Sequence, residues 1–167
     1  MSGKRGLTQG EIAMLREAFA EKVDYMPIRL SDGAGANLLA RAAFRQKRNW
    51  AMTYLNTIHY NDGRFSADFS QDPDPRHRAL LFHEMTHVWQ YKTLGLVSFA
   101  IRYGANFVSC NFDPMRTYDY SKAERFGEAT LEGQAQMVGD YYLERNKASA
   151  REAALREKLK DTGFYGL

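Results

Sequence analysis

Hydrophobic and polar positions recur along the chain with two periods, one typical of helices and one typical of strands. Thr8 and Glu11 have the spacing of a capping box, and the apolar residues behind them recur at helical spacing as far as about Lys22. Three short runs rich in β-branched and aromatic residues predict strands instead. These runs are residues 28–30, 50–54 and 57–60. The pattern predicts an α+β fold in which helices make up most of the mass beside a small sheet.

A longer helix is predicted after residues 72–75. This segment reads Asp-Pro-Asp-Pro, so it offers capping carboxylates and a proline at a suitable first helical position. Neither glycine nor proline occurs from Arg76 to Lys92, which allows a helix of about four turns. Its apolar residues are too numerous for a surface helix: Leu80, Leu81, Met85, Val88 and Trp89. We therefore expect most of this helix to be buried.

The same helix carries His83, Glu84 and His87 in the pattern H-E-x-x-H. Residues four apart lie on one face of a helix, so both imidazoles can point at one metal ion. Glu84 is rotated by about 100° from His83, which places its carboxylate beside the ion as a general base and not as a ligand. The pattern is typical of zinc hydrolases and predicts one Zn²⁺ ion as cofactor. A pair of hydrogen-bonded core histidines is the weaker alternative, because it does not account for Glu84.

A catalytic zinc ion normally has three protein ligands and one open position, so a third ligand is needed. His77 lies six residues before His83 on the same predicted helix and therefore faces away from the ligand pair. His59, in a predicted strand, remains an alternative.

A carboxylate from a later helix is a better third ligand. Ser121 and Glu124 are in capping-box register, and the residues that follow recur at helical spacing as far as Arg145. Glu128 and Glu132 would lie on one face of this helix, and small residues beside them would allow a close approach to the histidines. Spacing alone does not separate Glu128 from Glu132.

Three segments carry a resemblance to a known family: FHEMTHVWQY, RTYDYS and LEGQAQMVGDYY. They resemble the small metallopeptidase domain associated with type VI secretion, the HEMTH family found behind some spike proteins and as free-standing Vgr-related proteins. The likeness extends over most of the chain. The family pattern L-E-Q-Q-A matches residues 131–135, so the resemblance implies a gluzincin-type site formed by His83, His87 and Glu132. Gly133 departs from the family's first glutamine, which leaves Glu128 as a substitute ligand.

The resemblance implies a zincin-like fold and a zinc-dependent peptidase or amide hydrolase. It also implies an antibacterial effector that a type VI system secretes into the target periplasm, with a spike-protein carrier, an immunity protein and a peptide or protein substrate. Two other functions remain open. One is a peptidoglycan amidase or crosslink hydrolase with the same chemistry, and the other is a noncatalytic secretion component that keeps metal for folding. An open coordination position disfavours the last, because structural zinc sites are closed by four protein ligands.

Amide hydrolysis also needs a group that stabilises the oxyanion. Tyr118 and Tyr120 match the family's Y-D-Y and precede the ligand helix, so a loop could bring one phenol near the ion, and His59 is a further alternative. Asp140 is either a surface acid or an orienting partner for the ring N–H of a ligand histidine.

The composition fits one domain that covers residues 1–167, since 44% of the residues are hydrophobic and 13% are aromatic. The net charge of +3 is spread over interleaved acids and bases, and the basic run at residues 41–48 is typical of a solvated helix end. Nucleic-acid binding would need a denser basic face, so we expect no nucleic-acid partner. Residues 147–162 predict a charged helix at the periphery.

Compartment and redox state are constrained only in part. No apolar run of about 20 residues occurs, so we expect no membrane span. Residues 1–5 are not followed by the apolar core of a signal peptide, so we expect synthesis in the cytoplasm. Cys110 is the single cysteine, which excludes an internal disulfide, and its neighbours Val108 and Phe112 predict a buried side chain.

Overall fold

The computed structural model describes residues 3–45, 50–61 and 63–167, and over these ranges the chain is an α+β protein with seven α-helices and one small mixed sheet. The helices are α1 (Gln9–Phe19), α2 (Leu38–Phe44), α3 (Pro75–Leu94), α4 (Leu96–Ser109), α5 (Pro114–Thr117), α6 (Leu131–Glu144) and α7 (Ala150–Leu159). The strands are β1 (Lys4–Arg5), β2 (Arg29–Asp32), β3 (Ala51–Tyr54) and β4 (Thr57–Tyr60). No helix among the described residues combines the length and the apolar character that crossing a bilayer requires. The predicted α+β class, with a sheet beside the histidine helix, is confirmed.

The sheet has the strand order β1-β2-β4-β3, with a parallel β2–β4 pair between two antiparallel pairs. Side chains alternate between its two faces. Leu30 and Ile58 are partners across the parallel pair, and both are fully buried on the face that meets the helices. β3 is an edge strand, and it packs against α3. The sheet therefore contacts the histidine helix α3 through the edge strand β3.

The core lies between the sheet and helices α1, α3, α6 and α7. Phe82 of α3 stacks on Tyr142 of α6 with ring centroids 4.4 Å apart, and α3 and α6 form the most extensive contact between helices. A Cβ atom at Gly139 would lie 3.0 Å from the carbonyl oxygen of Ala79, so this glycine allows α6 to approach α3 closely.

Most predicted elements are confirmed. Thr8 and Glu11 form both hydrogen bonds of the capping box, and α1 ends at Phe19, three residues before the predicted end. Asp74 caps α3 and Pro75 is its first residue, as predicted. The predicted strands correspond to β2, β3 and β4. Helices α2 and α4 were not predicted; of the basic run at 41–48, residues 41–44 belong to α2 and residues 46–48 lie outside the described residues.

The predicted start of the ligand helix at Ser121 is wrong. The chain forms turns up to a 3₁₀ turn at Phe126–Glu128, and α6 begins only at Leu131, after the N-cap Thr130. The reason is tertiary packing: Phe126 is buried, and its ring lies 6.0 Å from the ring of Trp89. The 3₁₀ turn places Phe126 in the core, and a continuous helix from Ser121 would not contain this turn. Glu128 and Glu132 therefore do not share a helical face.

Two smaller expectations are also corrected. The C-terminal helix α7 is not peripheral, because its charged sequence hides Leu155 and Leu159, which are both buried in the core. Cys110 is half-buried and caps the end of α4, and its neighbours Val108 and Phe112 are exposed. Apolar neighbours in sequence did not imply burial there, because the outer face of α4 is itself apolar.

Candidate metal centre

His83, His87 and Glu132 converge in the structure. The Nε2 atoms of His83 and His87 each lie 3.2 Å from Oε2 of Glu132, and potential donor atoms of the three residues lie within 4.8 Å of one another. All three side chains are buried. Two imidazole nitrogens and a carboxylate oxygen that meet in this way could hold one metal ion.

Two helices position the three donor groups. The histidines are four residues apart on α3, so the spacing that H-E-x-x-H predicts is realised on one buried face. Glu132 stands in the first turn of α6, because Thr130 ends the preceding turns and its hydroxyl oxygen accepts from the backbone N–H of Gly133. The late start of α6 therefore places this carboxylate at a helix end that approaches α3.

Gln90 holds His87 in a defined orientation. Its side-chain oxygen lies 2.8 Å from Nδ1 of His87, while its amide nitrogen donates to the carbonyl oxygen of Leu131 and to Oε1 of Gln134, both at 3.0 Å. Because the amide nitrogen donates to groups of α6, the amide oxygen faces the ring and accepts a hydrogen bond from the Nδ1–H group. When the ring of His87 is neutral, its lone pair is then on Nε2, on the side of Glu132.

Tyr103 of α4 holds the other oxygen of Glu132. Its hydroxyl donates to Oε1 of Glu132 at 3.0 Å, which leaves Oε2 for the two histidines. The sequence analysis identified neither Tyr103 nor Gln90. Gln90 lies three residues after His87 on the same helix face and could have been found from spacing, whereas Tyr103 lies on a helix that the pattern did not predict.

Glu132 dominates the electrostatics of the centre. Burial by itself lowers the pKa of His87, but the negative charge of Glu132 and its hydrogen bond outweigh burial and raise that pKa to about 9. In the same way burial opposes the charge on Glu132, yet the two histidines hold its pKa well below the usual range. A site that stabilises positive charge on an imidazole in this way also favours a cation.

Glu84 lies beside the triad on the sheet side of α3. Its side chain is 4% exposed, and Oε2 accepts a hydrogen bond of 2.7 Å from the hydroxyl of Thr53 in β3. The Thr53 hydroxyl also lies 3.2 Å from the backbone carbonyl oxygen of Glu84. The carboxylate is therefore held by the edge strand and is not one of the three grouped donors.

The two predicted tyrosines have different surroundings. The ring of Tyr118 stacks on His83 with centroids 5.8 Å apart, and burial followed by the charge of Glu132 raises its pKa, so it stays a protonated donor. The hydroxyl of Tyr120 instead donates to Asp140 at 2.5 Å. Asp140 also accepts from Gln136 and Arg151 and is not the partner of a ligand histidine, a role that Gln90 has at His87.

The alternative third ligands lie elsewhere. His59 is on the face of the sheet opposite the core, where Nδ1 is 3.1 Å from the carbonyl oxygen of Gly33 and Nε2 is 3.3 Å from the amide nitrogen of Asn37. His77 pairs with Asp72, as expected for a residue turned away from the triad. Glu128 is exposed, and its carboxylate accepts from the backbone N–H groups of two residues of its own turn.

Comparison with known proteins relates this chain to a protein of the type VI secretion spike. No family model matches the chain. The chain is 27% identical over 155 residues to the type VI secretion system spike protein VgrG2b of Pseudomonas aeruginosa, an alignment that covers 91% of the chain but only 14% of the spike protein. The solved effector domain of VgrG2b superposes with a TM-score of 0.66 at 25% identity, over 93% of this chain and 81% of that one. The chain is therefore homologous to the VgrG2b effector domain.

Proposed function

We propose that the chain is a zinc-dependent peptidase or related amide hydrolase that serves as a type VI secretion effector. The observation that carries the chemistry is the convergence of His83, His87 and Glu132 at a place where Glu84 is also held. Homology to the effector domain of VgrG2b supports the effector role. On this proposal the domain is of the zincin-like, gluzincin type.

The donor set fits zinc. Two imidazole nitrogens and one carboxylate oxygen are the three protein ligands of many catalytic zinc sites, which keep a fourth position open. Gln90 supports this fit because it keeps the free lone pair of His87 on Nε2. When bound, zinc supplies a Lewis acid that lowers the pKa of water towards about 7 and polarises a carbonyl group.

Glu84 is the general base in this proposal. Because Thr53 occupies Oε2, the other carboxylate oxygen is free to accept a proton from the attacking water and later to return it to the leaving amine. Tyr118, protonated and stacked on His83, is the donor best placed to stabilise the oxyanion. Tyr120 stays a predicted contributor, although its hydroxyl is bonded to Asp140.

The edge strand β3 suits a peptide substrate. Among the described residues, no strand pairs with its outer edge, and the hydroxyl of Thr53 bonds the same strand to Glu84. An extended peptide that adds to this edge would run past the general base, with a backbone carbonyl close to the triad. A peptide or protein substrate is therefore favoured, and the peptide bridges of peptidoglycan offer the same chemistry.

The biological setting is part of the same proposal. VgrG2b is a spike protein, so a spike carrier fits this chain. The proposed site of action is the target periplasm, with an immunity protein as the protective partner. The chain spans only about a seventh of VgrG2b, so any activity, substrate or partner of the whole spike protein is a proposal for this chain.

The test compares the wild-type chain with Glu84→Gln in the bacterial cytoplasm and periplasm. Losing a general base lowers activity by about 10²–10⁴-fold, so growth inhibition in the periplasm should disappear while elemental analysis still finds one zinc per chain. Glu124→Gln makes the same chemical change at an exposed carboxylate and should leave inhibition intact. If Glu84→Gln inhibits growth as strongly as the wild type, the metal has a noncatalytic role. Digestion of purified sacculi separates a peptidoglycan substrate from a protein substrate.

A further inference from the structure

Helix α4 has inverted polarity. Its larger polar side chains bond to other parts of the protein: the guanidinium of Arg102 donates to the carbonyl oxygen of Gly127 at 3.3 Å, and Oδ1 of Asn106 accepts from the backbone N–H of Leu131 at 3.0 Å. Tyr103 bonds Glu132 from the same side, and Phe99 is the single buried apolar side chain of this helix. A surface helix normally turns its apolar stripe inwards.

The outward face of α4 is apolar. Val97, Ile101 and Val108 are 72%, 69% and 57% exposed, and they recur at spacings that keep them on one side of the helix. Between them the small residues Ala100, Gly104 and Ala105 are also exposed. Phe112 and Met115, just beyond the helix, extend the patch. We refer to the six residues of α4 as the α4 stripe: Val97, Ala100, Ile101, Gly104, Ala105 and Val108.

We propose that the α4 stripe is the contact between two copies of this chain, which pair their α4 helices in antiparallel orientation. The six positions of the stripe are symmetric about a midpoint between Arg102 and Tyr103, and the two outer pairs of positions hold identical residues. A two-fold axis at that midpoint places Val97 opposite Val108 and Ala100 opposite Ala105. It also places Ile101 opposite Gly104, so each large side chain meets a gap in the partner helix. A self-complementary surface of this kind is what a two-fold interface requires.

Gly104 supports a helix as the occupant. A Cβ atom at this position would meet nothing within 4 Å, so no packing inside the chain requires a glycine there. Glycine in a helix interior is destabilising relative to alanine. The close approach of a second helix backbone would explain a glycine at this position, whereas contact with a lipid surface would not.

Charge and area are consistent with a second copy. Arg102 is the one charged residue of α4, and it points inwards, so the antiparallel contact brings no like charges together. Together with Phe112 and Met115, the exposed large apolar side chains of the stripe offer on the order of 600 Å² per copy. This area is somewhat below the ~800 Å² that each partner buries in a standard interface and at the upper end of the largest apolar patch on a typical monomer. We therefore expect a reversible dimer. The inference does not depend on the proposed chemistry, since its readouts are states of association.

The first test is sedimentation equilibrium of the 167-residue chain over a range of concentrations. We expect a monomer–dimer equilibrium, and Ile101→Glu should raise the dissociation constant by about tenfold or more, because it buries a charge opposite Gly104. Leu38→Glu is the matched control, since Leu38 is an exposed apolar residue of α2 that is 75% exposed and lies outside the stripe. Leu38→Glu should associate like the wild type.

The second test uses Gly104→Ala, whose two expected effects have opposite signs. The added methyl group meets open space in the monomer and improves helix propensity, so the thermal midpoint of the dilute monomer should rise. The same methyl group separates the two helices in the dimer, so association should weaken. A variant that is more stable and yet associates less cannot be explained by damage to the fold.

Disulfide trapping tests the orientation. In a Cys110→Ser background, a mixture of Val97→Cys and Val108→Cys chains should form a crosslinked heterodimer, whereas either variant alone should not, because equivalent positions lie far apart in an antiparallel pair. Crosslinking of Val97→Cys with itself would indicate a parallel pair and would overturn the proposal. So would a chain that stays monomeric at several hundred micromolar. Vesicles of phosphatidylglycerol provide the last arm: monomeric binding to them that Ile101→Glu abolishes would assign the stripe to a lipid surface.

Discussion

Two histidine environments in this chain have nearly the same burial and opposite electrostatics. His87 is 6% exposed and His59 is also 6% exposed, yet the pKa of His87 is raised to about 9 and that of His59 is lowered. Burial lowers both values. At His87 the charge of Glu132 outweighs it, whereas at His59 the hydrogen bond to the Gly33 carbonyl does not, and the charge of Lys4 lowers the pKa further.

The comparison separates a buried histidine that could hold a metal ion from one with a structural role. His59 has neutral partners on both ring nitrogens, so its environment favours an uncharged ring held between a loop and a helix cap. His87 has a neutral partner on one nitrogen and a carboxylate shared with His83 on the other. The carboxylate of Glu132 on a second helix, and not burial alone, distinguishes the candidate metal centre from the structural site of His59.

Removing either ligand histidine should have the largest effect. His83→Ala and His87→Ala each remove one of three donors, so metal affinity should fall by more than the 10–100-fold that loss of an outer partner causes. His59→Ala should keep one metal per chain. Elemental analysis of chains purified at equal zinc concentration, with circular dichroism to confirm folding, measures the difference. Loss of metal in His59→Ala, with metal retained in His87→Ala, would reverse the assignment of the two environments.

The carboxylate is the next point of comparison. Glu132→Ala should empty the centre, since it removes the oxygen that both histidines contact at 3.2 Å. Glu128→Ala should leave metal content and activity unchanged, because that carboxylate is exposed and serves its own turn. The same metal assay, repeated on the two variants, decides between them. A full complement of metal in Glu132→Ala would show that the third donor lies elsewhere.

The sequence was sufficient for the part of this centre that lies on one helix. Four-residue spacing fixes how His83 and His87 face each other, so the local pattern alone predicted their geometry. Spacing could not identify the third donor, because the choice between Glu128 and Glu132 depends on the residue at which α6 begins. That point depends on Phe126, whose burial against Trp89 is a tertiary contact. Only the family resemblance favoured Glu132 beforehand.

Helix α4 shows why another part of the fold was missed. Periodicity identifies a helix by an apolar face that turns inwards, and α4 turns Arg102 and Asn106 inwards instead. Tyr103, which bonds Glu132, was missed for the same reason. In α7 the charged residues predicted a peripheral helix, whereas two of its leucines are buried in the core. In both helices, tertiary partners decide which residues are inside.

The outer partners of the two histidines allow a finer comparison. Gln90→Leu removes the oxygen that orients His87 and should lower metal affinity by about 10–100-fold. Asn37→Leu removes the amide beside His59 and the cap of α2, so it should lower stability by about 1 kcal/mol and leave metal affinity unchanged. Competition with a zinc chelator and denaturant unfolding measure the two quantities. Unchanged affinity in Gln90→Leu would mean that α3 alone holds the ring.

The smallest expected effect is the pH dependence that His59 contributes to stability. Its pKa in the folded chain is lower than the unfolded value of about 6.5, so below that pH the unfolded chain binds a proton that the folded chain does not. Folding is therefore opposed increasingly as the pH falls below about 6.5, with a slope of at most about 1.4 kcal/mol per pH unit. Lys4, Asn37 and Tyr54 line the same pocket as His59, and the charge of Lys4 acts on the ring.

His59→Gln isolates this contribution, because the other ionisable groups are the same in both chains and cancel in the difference. The free energy of unfolding of the wild type minus that of His59→Gln should rise from pH 5 to pH 6.5 and then become constant, measured by urea unfolding with metal removed. A positive slope requires that the folded chain keeps His59 neutral, as burial between a carbonyl and an amide implies. A difference that fell as the pH rose would mean that His59 gains a proton on folding. The contrast between the two histidine environments would then rest on geometry alone.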